Sequence, residues 1–189
     1  MAKRKTPKRQ IAVVTAAALL LGGTALYTVT HQRTGDPLPL TGAITAPVAP
    51  ISTRLARHIE SCCEINGIDP AIVFAIIERE SDFQPDVVNP FSGCVGLMQL
   101  HPSTLKWLER ETGCVYNPYD PYQNTAGGIY LLGWLMQRYD QHVPSALLAY
   151  AEGVGGADAM LASGIDPEST WQYRTVIERM VKYEQQIHG

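Results

Sequence analysis

Basic charge is scarce along most of this chain. Five of its fifteen Lys and Arg residues fall in the opening "MAKRKTPKR", leaving ten against eighteen acidic residues in the remainder. A body of that sign argues against nucleic-acid binding, which needs a basic face. No segment sustains the apolar–polar alternation of a half-buried strand, and no internal repeat is present. The five histidines (His31, His58, His101, His142 and His188) are scattered and give no metal-ligand spacing, so neither a metal nor a cofactor is expected. Cysteine is limited to Cys62, Cys63, Cys94 and Cys114. An even count permits disulfides outside the cytoplasm. Adjacent Cys62 and Cys63 are poorly placed to pair. A bridge involving Cys94 or Cys114 and buried free thiols both stay open.

Charge of either sign is missing from "QIAVVTAAALLLGGTALYTVT", residues 10–30. About 20 apolar residues suffice to span a bilayer as a helix. The basic residues before it stay cytoplasmic by the positive-inside rule, which puts the rest of the chain outside. The expected layout is a basic cytoplasmic tail over 1–9 and a single-pass signal-anchor over 10–30. A Pro/Thr/Gly-rich tether follows over 31–50, and a catalytic domain over 51–189. A cleaved signal peptide is the alternative for 10–30, but no small-x-small cleavage site stands near its end.

What the outer region does have is helical periodicity. Ile51, Leu55, Ile59 and Cys62 or Cys63 recur near helical spacing, which predicts a helix over 51–66. Asp69 and Pro70 supply an N-cap and a first-turn proline for the next helix. Further helices are expected over 103–111, 123–140, 144–151, 155–163 and 169–187. Residues 82–101 hold Pro, Asn and Gly and read as an irregular loop. The fold class is all-α.

The helix from Pro70 ends in "IIERESDFQP", with carboxylates at Glu78, Glu80 and Asp82. They are not equivalent. Counting from Ile72 at about 100° per residue, Glu80 falls near ~80°, inside the apolar stripe, while Glu78 and Asp82 point away from it. A carboxylate in apolar surroundings has its charged form penalised, so its pKa rises and it can hold a proton to donate. The negative end of the helix dipole pushes the same way. By itself, a helix-end Glu is more often simply solvated.

Four further segments follow in order: "GCVGLMQL" (Gly93 to Leu100), "DPYQNTAGGIYLLGWL" (Asp120 to Leu135), "LLAYAEGVGG" (Leu147 to Gly156) and "WQYRTVIERM" (Trp171 to Met180). Together with Glu80-Ser81 they resemble the soluble lytic transglycosylase family, of goose-type-lysozyme-like fold, over about residues 51–187. The resemblance implies cleavage of the β-1,4 bond between N-acetylmuramic acid and N-acetylglucosamine in peptidoglycan glycan strands. Glu80 would be the single catalytic acid, then base, with the muramic acid C6 hydroxyl closing a 1,6-anhydro ring. That explains how one carboxylate can do work for which most glycosidases use two.

The same resemblance gives the other residues expected roles. Ser81 would hydrogen-bond near the acid or the substrate. Gln99 would meet N-acetyl or hydroxyl groups, and Gly96 would leave room for the sugar chain. Met98 would lie partly in the core and partly line the site. Tyr150 and Tyr173 would bring hydroxyls and ring faces near Glu80. One departure stands out: Ala151 replaces the family's Asn, and Glu152 follows. If Glu152 activated water, the domain would be a hydrolysing muramidase. A weakened site would leave a glycan-binding or scaffold protein. A secretion or conjugation machine that opens local gaps in the wall is a context for the first activity.

Overall fold

The computed structural model describes residues 49–188. The basic tail, the expected signal-anchor and nearly all of the linker lie outside the described residues. Among the described residues no helix is long and apolar enough to cross a membrane. The described residues form six α-helices: α1 Thr53–Asn66, α2 Pro70–Ser81, α3 Pro102–Thr112, α4 Pro121–Arg138, α5 Val143–Ala162 and α6 Trp171–His188, with a short 3-10 turn at Pro167–Ser169 before the last.

The helix starts follow a repeated local chemistry. Asp69 accepts a hydrogen bond from the Ala71 N–H, and Asp120 accepts from those of Tyr122 and Gln123. A proline then occupies the first turn, where its missing N–H costs nothing. His101 plays the same part for α3, its Nδ1 accepting from the Ser103 N–H at 3.1 Å. The Asp120–Pro121 pair starts α4 two residues before the expected 123, by the signature that places α2. The expected helices over 144–151 and 155–163 are the two arms of α5, broken at Gly153.

α2 is the central element. Every side chain from Ala71 to Ile77 is buried, as befits a helix apolar on all sides. Burying each of Ile72, Phe74, Ile76 and Ile77 contributes about 1.5–3 kcal/mol. α6 packs along α2, with Val176 and Tyr183 fully buried and the Tyr183 ring 5.6 Å from that of Phe74. α1 lies against α4, and α4 against α5. A smaller cluster of Leu135, Ala146, Leu148, Ala149 and Ala157 ties the last two together.

Between α2 and α3 the chain is irregular, as its composition predicts. Asp82 and Phe83 are both left-handed and turn it sharply out of α2. Isolated bridges pair Val88 with Val95 and Val95 with Leu100. They fold "GCVGLMQL" into a tight turn with Leu97 and Met98 buried under it.

All four cysteines are free. Cys63 is buried in the core and Cys62 half-buried, and burial pushes the Cys62 thiol up to about 11.

Candidate active site

A cavity of about 500 Å³ opens beside the C-terminal end of α2. Glu80, Gln99, Tyr150 and Glu152 line it, with Arg79, Cys94, His101 and the backbone around Gly153. Four separate stretches of sequence therefore meet here: the end of α2, the turn before α3 with the start of α3, Leu131 of α4, and the break in α5. A second hollow of about 300 Å³, walled by Trp107, Leu131, Trp134 and Val154, shares Tyr150 and Gly153 with the first.

Glu80 occupies the last turn of α2 with a side chain 20% exposed. Burial raises its pKa, and the neighbouring Arg79 charge opposes that rise without cancelling it. Such a carboxyl is suited to hold and release a proton. Glu78, two residues earlier, behaves in the opposite way. Burial pushes it up, but hydrogen bonds from Tyr183 and Lys182, with the charges of Lys182 and Arg179, outweigh this and hold it below the usual range. The two differ as their helical spacing predicts. That spacing does not foresee that Glu78 is an anchor for α6 rather than a freely solvated group.

Ser81 is buried, and its hydroxyl lies 2.9 Å from the Leu97 carbonyl and 3.1 Å from that of Ile77. It fastens the end of α2 to the turn that carries Gln99, and does not line the cavity. Gln99 does line it, on a left-handed backbone with φ of 45°. Its amide nitrogen donates to the carbonyls of Gly96 (2.9 Å) and Val87 (3.1 Å). Both protons are thus engaged, and the group left to face a ligand is the Oε1 acceptor.

Gly96 has a different task from the one expected. A Cβ there would fall 2.3 Å from Asn124 Nδ2 and 2.5 Å from the Pro118 carbonyl oxygen. The space beside it is filled by Asn124, so the glycine makes room for a buried side chain and is not part of the cavity wall. Asn124 accepts from the Met98 N–H at 2.8 Å and donates to the carbonyls of Val95 (2.9 Å) and Pro118 (3.0 Å). Fully buried, it fixes the whole turn from inside α4. The sequence shows it only as a letter of the Asp-Pro-x-x-Asn motif.

Met98 is fully buried, its sulfur seated against Gly128, and it does not line the cavity. Its carbonyl, however, accepts a 2.8 Å hydrogen bond from the Tyr150 hydroxyl. Burial first, then the nearby Glu80 charge, push the Tyr150 hydroxyl well above its usual range, so it stays a proton donor. Tyr173 is half-buried against the main core and is not among the cavity-lining residues. Its neighbours Trp171 and Gln172 do not line the cavity either, but they contact the lining residues Arg79 and Glu152. Glu152 is exposed at the cavity and takes a short hydrogen bond from the buried Gln172 amide. The Trp171 ring lies over the Arg79 guanidinium, 4.8 Å from carbon to centroid. No group of three or more His, Cys, Asp or Glu side chains among the described residues is arranged to hold a metal.

The model of the transglycosylase SLT domain matches residues 58–164, which contain every cavity-lining residue. The chain belongs to that family. A transglycosylase of Enterobacteria phage PRD1 is 41% identical over 92 residues, covering 49% of this chain and 32% of its own length. An inactive glutamate-to-glutamine mutant of the lytic transglycosylase Slt from Pseudomonas aeruginosa shares the fold, with a TM-score of 0.62 at 23% identity over 72% of this chain and 24% of that one. The 70 kDa soluble lytic transglycosylase of Escherichia coli does so too, with a TM-score of 0.57 at 22% identity over 69% of this chain and 23% of that one. The chain thus spans about a third of the phage relative's length and about a quarter of the two solved chains. The lysozyme-like all-helical fold expected from the SLT motifs is the one found.

Proposed function

We propose that the SLT domain of this protein is a peptidoglycan lytic transglycosylase with Glu80 as its single general acid and base. The observation that carries this is the position of Glu80: a mostly buried carboxyl with a raised pKa, facing a cavity large enough for sugar rings. Protonated Glu80 donates to the glycosidic oxygen. As a carboxylate it then takes the proton from the muramic acid C6 hydroxyl, which attacks its own anomeric carbon. The internal nucleophile needs no water and no second carboxylate, because it is already held close. Tyr150, kept protonated, and the Oε1 acceptor of Gln99 are the neutral groups placed to meet sugar hydroxyls and N-acetyl groups.

Glu152 supports a second reading. It lines the same cavity, and as a base it would direct water to the anomeric carbon and make the domain a hydrolysing muramidase. Its hydrogen bond from Gln172 favours a fixed, structural carboxylate instead.

Mass spectrometry of products from purified peptidoglycan separates these. Anhydro-ended fragments, lighter by one water than hydrolysed ones and absent with Glu80→Gln, are the expected outcome. Reducing ends that vanish with Glu152→Gln would establish the hydrolase. No product from folded protein on several wall types would leave a glycan-binding role.

The basic 1–9, apolar 10–30 and Pro-rich 31–50 segments support a single-pass anchor that holds the domain outside the membrane. An enzyme so tethered would open local gaps, as a secretion or conjugation apparatus requires. Recovery of the full chain in the soluble fraction of lysed cells would sink the anchor.

A further inference from the structure

We propose that Arg79, clamped beneath Trp171, is a positioning residue that holds the Glu80 carboxyl in the cavity and sets the pH range over which the domain works. This rests on Glu80 being the acid. Consecutive residues on an α-helix diverge by about 100°, so neighbours do not ordinarily face each other. Yet the Arg79 guanidinium comes back to 3.4 Å from Glu80 Oε1. Something outside α2 must direct it there, and the Trp171 indole, on the first turn of α6, is what covers it. The Arg79 side chain is only 12% exposed, whereas Trp171 is 61% exposed. The ring is a lid on the cation, which gives a reason for so large an apolar side chain to stand in solvent.

The length of the contact matters. Charge-assisted hydrogen bonds run at about 2.7–2.9 Å, and a two-pronged fork of that kind would keep the carboxylate ionised. At 3.4 Å on one oxygen, the cation steers the carboxyl and limits its pKa without preventing protonation. The other titratable groups around Glu80 are Tyr150 and Glu152 from α5, and Cys94 and His101 from the turn before α3. Glu78 is engaged with Lys182 and Tyr183 on α6. Arg79 is the only Lys or Arg among the described residues that line the cavity.

The sign follows. A general acid works while protonated, so activity falls as pH rises through the Glu80 pKa. Removing the Arg79 charge raises that pKa and moves the alkaline limb to higher pH. The test is the pH dependence of kcat and kcat/KM of the full chain on solubilised peptidoglycan strands. Wild type is compared with Arg79→Met, Arg79→Lys, Trp171→Leu, Trp171→Phe and the Arg79→Met/Trp171→Leu double variant, with melting curves to establish folding.

In Arg79→Met the alkaline limb should rise by about half to one pH unit, and kcat at the optimum should fall roughly 5- to 20-fold with KM changed less than about twofold. Arg79→Lys should restore the limb. Trp171→Leu should shift it the same way by less, Trp171→Phe should not, and the double variant should match Arg79→Met. A limb that stays put in folded Arg79→Met, or a loss confined to KM, overturns the proposal. So do additive effects in the double variant. An inactive wild type would sink the activity itself, and with it this inference. An active wild type with an unmoved limb would sink the inference alone.

Discussion

The Tyr150 hydroxyl donates a 2.8 Å hydrogen bond to the Met98 carbonyl, joining two residues 52 positions apart. The bond ties the first arm of α5 to the turn that presents Gln99, and it places the phenol beside Glu80. Tyr150→Phe keeps the ring and removes the bond, leaving a buried carbonyl without that donor. The expected cost is about 1–3 kcal/mol of stability. Activity should fall roughly tenfold as the turn loosens around Gln99, a loss of about 1.4 kcal/mol in transition-state stabilisation. Denaturant melts and steady-state kinetics on the same preparation check both.

Gly153 breaks α5 with φ of 73° and ψ of 160°, a conformation open essentially to glycine alone. A Cβ there would meet nothing within 4 Å, so any penalty comes from the backbone and not from crowding. Gly153→Ala should therefore cost on the order of 1–3 kcal/mol. The kink also orients Ala151 and Glu152 toward the cavity. Loss of activity beyond the loss of folded protein is expected, measured as kcat/KM per folded molecule.

Asn124 and Gly96 are expected to fail together. Asn124→Ala strands the Met98 N–H and takes a donor from the Pro118 carbonyl, while the Val95 carbonyl keeps the Leu100 N–H; it should cost about 2–4 kcal/mol at 1–3 per unsatisfied group with partial relaxation. Gly96→Ala forces a Cβ against the Asn124 amide from a left-handed backbone. In a double-mutant cycle the two substitutions should be strongly non-additive, since each disrupts the same contact.

Glu80 and Glu78 should leave opposite signatures in the pH dependence of stability. Glu80 has its pKa raised by burial in the folded state. Its contribution is full below the unfolded value and is lost as pH rises through the folded one. Glu80→Gln should then stabilise the domain above that range and do little at acidic pH. Glu78 has its pKa lowered, since the hydrogen bonds from Tyr183 and Lys182 overcome the burial that would raise it. Its contribution is present above the unfolded value and is lost as pH falls through the folded one. Glu78→Gln should destabilise at neutral pH, and the difference should close on acidification. Melting temperatures of the two variants across pH 3 to 8 would decide it, and curves of the same sign would refute the assignment.

The local part of this structure was legible. The capping Asp69 with its Pro70, the apolar run of α2 and the inward angle of Glu80 depend on residues within a turn or two of each other. Periodicity and capping chemistry report such relationships directly. The interruption between the expected helices 144–151 and 155–163 falls at Gly153.

The site's supporting contacts were not legible. Gly96 looked like space for a sugar and instead accommodates Asn124, from a helix that begins 25 residues later. Ser81 was expected to hydrogen-bond near the acid or the substrate, and its hydroxyl fastens the end of α2, beside Glu80, to the Leu97 carbonyl. Tyr173 marked the right segment, but Trp171 and Gln172 are the residues that reach Arg79 and Glu152. Which of three adjacent side chains points where depends on how α6 is rotated as it docks on α2, and that rotation is set by Val176 and Tyr183 filling the core.

By itself the sequence determined a set of amphipathic and apolar helices, their starts, and one acidic group turned toward the core, because these follow from residue spacing along a single helix. Only the tertiary structure decided what surrounds that acid. The indole that covers the neighbouring Arg79, the tyrosine in the same cavity and the asparagine that holds the adjoining turn come from distant parts of the chain. Their distances are fixed by helix packing, which no local pattern encodes.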